Sequence, residues 1–250
     1  MKSYFEKYLK DEPVLGGGYM LLFEAIKNRS MAALEAAASA DDVNGQDKFG
    51  RTPLHYIITQ KAPMEMFAFL LAKGADPQLE DKLGLTVLEK AIKFGNKQAV
   101  VLLIAHGIEL DHPKGITHTP WFKARHHTEI ADLLLGAKGA FRLTLTEAES
   151  ELVDSLLYSE NEERMARLHL LNTPELLHAF VLGFNWDDDL GPIEALVRHP
   201  ECGEATAYEI YDLADGDYWL ERERIEDEYE RQYIALIRYT LERFPQLKAT

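Results

Sequence analysis

The chain has 250 residues, of which 46% are hydrophobic, which suits one elongated domain or two compact ones with buried cores. Its formal net charge is −15, and its longest purely apolar runs, 66–72 and 99–105, fall far short of the roughly 20 residues of a membrane span. A single cysteine, Cys202, excludes an internal disulfide. The charged amino terminus lacks the apolar region of a signal peptide, so we expect a cytoplasmic protein that does not bind membranes.

The negative charge lies almost wholly in the second half of the chain. Residues 1–136 contain 16 basic and 17 acidic side chains, whereas residues 137–250 contain 11 and 25. An acidic surface repels phosphates, so we expect no nucleic-acid binding. Two interpretations of the acidity remain open: it attracts a basic partner, or it only keeps the protein soluble.

A pattern with a period of 33 to 34 residues repeats through the first half. Thr52 recurs as Thr86 and as Thr119, and each unit contains two short apolar bursts at helical spacing. Thr52 is placed to cap a helix that begins at Pro53, and Gly74 is placed to end the second helix. A helix-turn-helix of this size cannot bury its apolar face alone, which predicts a stack of such units.

The second unit resembles the ankyrin repeat. The resemblance rests on Asp47-Lys48-Phe49-Gly50, on Thr52-Pro53-Leu54-His55 and on residues 70–76, and it covers about residues 19–136. It implies about four stacked helix pairs, in which His55 hydrogen-bonds neighbouring backbone, and a function in binding other proteins. The outer units are degenerate, and Trp121 in the fourth unit predicts a bulky neighbour.

Helical signals of another kind begin after residue 136. Thr146 and Glu149 form a capping box, and Thr173 precedes a helix that begins at Pro174 and ends at Gly183. Further helices are predicted over 192–197, 204–213 and 217–244. The predicted fold is therefore all-α, an ankyrin-type repeat stack followed by a C-terminal helical domain. The predicted domains are an N-terminal capping helix and glycine linker over 1–18, the repeats over 19–136 and the acidic helical domain over 137–250.

Four segments of the second half resemble, in order, a bacterial domain family of unknown function, number 4274. They are residues 176–180, 184–188, 199–202 and 207–218. The resemblance covers about residues 165–241 and departs from the family at Asp189, where a glycine is usual. Because the family has no assigned activity, the resemblance implies only the fold and a bacterial setting.

Clustered carboxylates at Asp187, Asp188 and Asp189 allow an interpretation as a metal or acid–base site. Acids that follow a helix end also form turns and caps, for example with Asp189 capping the next helix, and we favour this interpretation. Cys202 and His199 lack a third group to orient them as a nucleophile and base. The sequence contains no phosphate-binding loop, nucleophile elbow or zinc-ligand spacing, so we predict no enzyme activity, cofactor or metal.

Outward positions of the repeats combine basic and aromatic side chains, as protein interfaces do. The predicted partner-binding residues of this groove and of the finger tips are Lys48, Phe49, Arg51, Tyr56, Gln60, Lys82, Lys90, Lys93, Phe94, Lys123 and His126. Those of the acidic domain are Asp187, Asp188, Asp189, Glu221, Glu223, Asp227 and Glu228. Alternatively, the lysines only keep the groove soluble. The acidic domain could also fold back on the groove, or both surfaces could grip one partner.

These features predict a non-enzymatic protein, monomeric when alone, that binds another protein of basic charge. A sharper form of the prediction is a bacterial immunity protein that neutralises a basic toxin, because opposite charge speeds association. Two alternatives remain: an enzyme or metal-binding protein that uses residues 185–189, and a scaffold subunit of a larger assembly.

Overall fold

The computed structural model describes residues 19–38, 42–222 and 227–249, and within these ranges the regular structure is entirely helical. This confirms the predicted all-α fold. The predicted N-terminal capping helix and glycine linker over 1–18 lie outside the described residues. Among the described helices, none is both long and apolar enough to cross a bilayer.

The chain divides into two compact units, Met1–Ile108 and Glu109–Thr250. Residues 109–136, which the repeat pattern assigns to the ankyrin-type domain, are therefore part of the second compact unit.

In its described part, the first unit contains three helix pairs. They are α1 (Tyr19–Lys27) with α2 (Met31–Ala38), α3 (Pro53–Gln60) with α4 (Met64–Ala72), and α5 (Val87–Lys93) with α6 (Lys97–Ala105). First helices of consecutive pairs contact each other, and so do second helices. Equivalent residues such as Leu22, Leu54 and Leu88 are buried between the pairs. This is the stack that the 33- to 34-residue period predicts.

Caps at equivalent positions explain why each pair begins and ends where it does. The Thr52 side chain accepts a hydrogen bond from the His55 amide, and Thr86 does the same with the amide of Glu89, whose side chain closes a capping box. After α4, Gly74 has a φ of +84°, a left-handed conformation that glycine adopts without steric cost.

Two turns between the pairs, which we call fingers, have the same construction. Asp47 and Asp81 each accept hydrogen bonds from the backbone amides two and four residues later. The fingers are joined by a 3.0 Å hydrogen bond from the Lys82 amide to the Phe49 carbonyl. A Cβ on Gly50 would lie 2.7 Å from the Lys82 nitrogen, so only glycine permits this approach.

His55 joins the second repeat to the third, which confirms its predicted structural role. Its ring is fully buried, with Nε2 2.9 Å from the Leu85 carbonyl oxygen and Nδ1 2.9 Å from Thr52 Oγ1. Burial lowers the pKa of His55, so the ring is neutral at neutral pH. Because a carbonyl only accepts, Nε2 carries the proton and Nδ1 accepts from the Thr52 amide.

Lys90 is buried, so it does not contribute to the exposed basic surface on which it was predicted. Its ammonium pairs with the Asp81 carboxylate, and the two side chains are 7% and 3% exposed. In the preceding finger, Arg51 pairs with Asp47 at 2.6 Å. The third repeat has Leu85 at the position of Arg51. The positive charge that pairs with Asp81 therefore comes from Lys90 of helix α5.

The second unit begins with the degenerate fourth pair, α7 (Pro120–Lys123) and α8 (Thr128–Leu135), which a 3₁₀ turn (Ile116–His118) precedes. Its other described helices are α9 (Glu147–Leu157), α10 (Asn161–Arg167), α11 (Pro174–Gly183), α12 (Gly191–Arg198), α13 (Glu204–Leu213), α14 (Gly216–Glu221) and α15 (Glu228–Arg243), with 3₁₀ turns at Leu168–Leu170 and Pro245–Ala249. Helix α11 carries the fully buried Leu177, Phe180 and Val181. It contacts α9 and α13, and α13 contacts α15.

The prediction of a single helix over 217–244 is wrong, because the structure describes two helices there. Backbone dihedrals at Arg222 are extended, which ends α14, and Asp227 begins α15 by accepting a hydrogen bond from the Glu230 amide. Residues 223–226 lie outside the described residues.

An aromatic chain connects the fourth repeat to the helical part of the second unit. The rings of Trp121 and Phe141 have centroids 5.0 Å apart, and Phe141 lies 5.2 Å from the ring of His178. All three side chains are buried. Phe141 is thus the bulky neighbour that Trp121 predicts.

A carboxylate makes a second connection. Asp111 lies between the third and fourth repeats, and it accepts hydrogen bonds from the backbone amides of Glu204 and Ala205 at the start of α13. It supplies the cap that Gly203, which has no side chain, cannot supply. Burial raises the pKa of Asp111 more than its amide hydrogen bonds lower it.

Replacing Lys90 by alanine should destabilise the protein by about 3–5 kcal/mol, because Asp81 would stay buried without its cation. Urea unfolding of the full chain, followed by far-ultraviolet circular dichroism, measures this as a lower midpoint. Lys93→Ala changes an exposed lysine of the same helix and should cost less than about 0.5 kcal/mol. Equal midpoints for the two variants would contradict the buried pair.

Stability should also depend on Glu204. Burial, with the charges of Asp111 and Glu109, raises the pKa of Glu204 to about 7 from its ordinary 4.5. Between about pH 4.5 and about pH 7, the Glu204 carboxyl binds more protons in the folded state than in the unfolded state. The free energy of unfolding therefore falls as pH rises through this range.

Glu204→Gln removes that titration. The difference in free energy of unfolding between this variant and wild type should be about 1 kcal/mol more favourable to the variant at about pH 8 than at about pH 4. This value is discounted because Glu204 is partly exposed. Urea midpoints at both pH values measure the gain. The exposed neighbour Glu201, changed to Gln, is the control and should show no such trend. If the urea midpoints of Glu204→Gln and wild type change by the same amount between the two pH values, the raised pKa of Glu204 is refuted.

Candidate functional site

The two fingers of the first unit carry an exposed patch. Phe49 and Leu83 occupy equivalent positions at the finger tips and are 53% and 73% exposed. The hydrogen bond between the fingers keeps them side by side, and Lys48 and Lys82 directly precede them. We call Lys48, Phe49, Lys82 and Leu83 the finger patch. It combines exposed apolar area with a cationic rim, as protein-binding surfaces do.

The other predicted groove residues of the first unit differ in how accessible they are. Arg51 pairs with Asp47, and its guanidinium lies 5.0 Å from the ring centroids of both Phe49 and Tyr56. Tyr56 is half-buried and packs edge-on against Phe23. The exposed members are Gln60, Lys93 and Phe94. In the second unit, His126 is exposed and Lys123 is half-buried.

The predicted acidic residues are mostly exposed, but several have structural partners. Asp227 caps α15, and Glu228 pairs with Arg231 at 3.0 Å. Glu221 and Asp187 are exposed. Glu223 lies outside the described residues.

Asp188 and Asp189 line a polar cavity of about 290 Å³. The buried Arg164 also lines it, donates hydrogen bonds to three backbone carbonyls, and pairs with Asp188 at 3.3 Å. Asp189 accepts a hydrogen bond from the Gly191 amide, although Leu190, not Asp189, occupies the capping position of α12. In the part of the chain that the structure describes, no three histidine, cysteine or acidic side chains are grouped to hold a metal ion.

Cys202 and His199 do not form a nucleophile and base pair. Burial raises the pKa of the Cys202 thiol to about 12, so the reactive thiolate is disfavoured. Nδ1 of His199 accepts a hydrogen bond from the Glu201 amide at 3.2 Å. A second histidine, His178, is buried beside Thr206, and burial lowers its pKa to about 4.

A surface that sequence reasoning missed lies on α14 and α15. Tyr218, Trp219, Tyr229 and Tyr233 form a continuous group of rings, which we call the aromatic cluster. Tyr218 and Tyr229 are 47% and 46% exposed. The sequence contains two pairs of aromatic residues, Tyr218 with Trp219 and Tyr229 with Tyr233, in an acidic stretch. It went unrecognised because Tyr229 and Tyr233 fit the apolar face of one long predicted helix.

Two family models match the sequence. The model of ankyrin repeats, which describes three copies, matches residues 22–114 and 57–147. The model of a domain of unknown function, DUF4274, matches residues 172–244. This confirms both predicted resemblances and their order.

Curated proteins match shorter parts of the chain. The ADP-ribosylation factor GTPase-activating proteins AGD4 and AGD2 of Arabidopsis thaliana are 41% identical over 66 residues and 43% over 67, in each case 26% of this chain and 8% of the relative. A fowlpox virus protein named as ankyrin repeat protein FPV245 is 28% identical over 106 residues, 42% of this chain and 23% of its own length. The chain thus spans less than a quarter of each of these relatives.

The ankyrin matches together cover just over half of the chain. They agree with the stacked helix pairs, the capping threonines and the hydrogen bonds of His55. Ankyrin repeats indicate a role in protein–protein interaction. The chain belongs to the ankyrin repeat family and carries a DUF4274 domain in its C-terminal half.

Proposed function

We propose that this chain is a non-enzymatic binding protein whose finger patch contacts a partner protein. The observation that carries the proposal is the pair Phe49 and Leu83, two large apolar side chains that are more than half exposed on neighbouring fingers. Asp47 and Asp81 fix the backbone of each finger, so little conformational entropy is lost when a partner binds. Apolar anchors with a polar rim are the usual centre of binding energy in interfaces.

The partner is proposed to be basic, because the charge of the chain is concentrated in one unit. Residues 1–108 contain 13 basic and 13 acidic side chains, whereas residues 109–250 contain 14 and 29. The whole excess of −15 therefore belongs to the second unit. The negative electrostatic potential of the second unit accelerates association with a basic protein, and this acceleration decreases as the salt concentration rises.

The sharper form of the proposal is a bacterial immunity protein that acts in the cytoplasm as a monomer and neutralises a basic toxin. The resemblance to a bacterial domain family and the charge of the second unit support it. A scaffold in a larger assembly would use the same surfaces but would bind several partners at once.

The loop 185–189 supports an enzyme or metal-binding function less well. Asp188 pairs with the buried Arg164, and Asp189 accepts a hydrogen bond from a turn amide. Both carboxylates therefore have structural roles that account for their positions.

Affinity capture with the full chain tests the proposed function. Phe49→Ala with Leu83→Ala should reduce recovery of the captured partner about tenfold, because the apolar anchors are lost. Leu182→Ala, which removes a leucine of similar exposure (54%) from the second unit, is the matched control and should leave recovery unchanged. Mass spectrometry identifies the partner, and calorimetry measures its affinity as salt is raised.

The outcomes separate the two levels of the proposal. Undiminished capture by the double variant would refute binding through the finger patch. An acidic partner, or an affinity that salt does not weaken, would refute the basic toxin. Relief of growth inhibition when the chain is co-expressed with its captured partner would support the immunity role.

A further inference from the structure

The aromatic cluster of the second unit is ordered by its own ring contacts. Trp219 stacks on Tyr233, with centroids 4.9 Å apart and planes 26° apart. Tyr218 contacts Trp219, and Tyr229 contacts Tyr233, each also at 4.9 Å. Tyr233 is buried, and its hydroxyl donates to the Trp186 carbonyl. The inner rings therefore hold Tyr218 and Tyr229 in place at the surface.

The aromatic cluster belongs to an acidic stretch of the sequence. Residues 212–230 contain nine acidic side chains and two arginines. Asp217 directly precedes Tyr218, and Asp227 and Glu228 directly precede Tyr229. Burial and the negative charge of Asp187 raise the pKa of Tyr233. The two exposed tyrosines thus each follow an acidic residue, in a stretch of the chain that is net negative.

Arg222 shows what such a surface binds. Its guanidinium carbon lies 5.5 Å from the ring centroid of Tyr218 and 5.7 Å from that of Trp219. The same guanidinium donates to the Tyr218 hydroxyl at 2.7 Å and pairs with Glu230 at 2.7 Å. One arginine of the chain is therefore held by aromatic faces, a phenol oxygen and a carboxylate together.

We propose that the accessible ring area of the aromatic cluster binds arginine side chains of a basic segment on a partner protein, by contacts of the same kind as those that hold Arg222. The inference rests on the proposed function, because it assigns the approach of a basic partner to one named surface. Tyr218 and Tyr229 each have close to half of their surface accessible, which leaves ring area for a guanidinium from outside.

Arginine fits this surface better than lysine does. The guanidinium is planar and weakly hydrated, so it stacks on a ring while its N–H groups bond carboxylates. The ammonium of lysine is strongly hydrated and gains less from an aromatic face. Charge attraction alone would treat the two side chains alike, and carboxylates elsewhere on the chain can also favour a guanidinium. A preference for arginine that depends on the rings of Tyr218 and Tyr229 is therefore the signature of the aromatic cluster.

The test uses the full chain and two fluorescent peptides of equal length, oligo-arginine and oligo-lysine, titrated by anisotropy at low ionic strength. Wild type should bind oligo-arginine about threefold or more tightly than oligo-lysine. The double variant Tyr218→Ala, Tyr229→Ala should bind oligo-arginine about five- to tenfold more weakly, and the ratio of the two affinities should approach one.

Two further variants separate the rings from other causes. Tyr218→Phe with Tyr229→Phe keeps both rings and should keep most of the preference for arginine, which also guards against misfolding in the alanine variant. Tyr158→Ala removes a tyrosine that is 87% exposed elsewhere in the second unit and should leave both affinities unchanged.

Equal affinity of wild type for the two peptides would overturn the inference. So would an arginine preference that survives in the alanine variant, or one that Tyr158→Ala lowers as much. None of these results bears on capture of a partner through the finger patch, so failure of the arginine site is distinguishable from failure of the proposed function.

Discussion

Hydrogen bonds join the second repeat of the first unit to the third, and the buried ring of His55 makes one of them. Its Nε2 donates to the Leu85 carbonyl, which lies in the finger of the following repeat. The Lys82 amide bonds the Phe49 carbonyl in the opposite direction along the chain. Because both bonds cross between repeats, they set the spacing of the fingers and with it the distance between Phe49 and Leu83. Binding at the finger tips therefore depends on a contact in the core.

Local chemistry explains why much of the fold could be predicted. Thr52 and Thr86 cap helices through bonds to residues three positions away, and such short-range patterns are legible in a sequence. The same reasoning failed at Lys90, which occupies the repeat position of the half-buried Tyr56. Its burial follows from the loss of the finger arginine, which Leu85 replaces. The sequence alone does not show that Lys90 replaces the arginine as the partner of the finger aspartate, because this requires the structure around Asp81.

In the second unit, several helices were predictable, but the helix end at Arg222 and the long-range contacts were not. Asp111 bonds an amide 93 residues away, and no local pattern announces such a pair. The aromatic cluster was missed for a different reason. Helical spacing identifies rings that share a face, but it does not tell whether that face meets the core or solvent. Tyr233 is buried and Tyr229 is half exposed, although the two are four residues apart.

The fourth repeat shares its buried side chains with the helical domain, through Trp121, Phe141 and His178. This sharing has a consequence for the ancestry of such chains. A recombination event that moved residues 172–244 by themselves would separate His178 from Phe141. A transferable segment that keeps this contact has to include Phe141, and one that also keeps the packing of Phe141 against Trp121 has to include the last repeat.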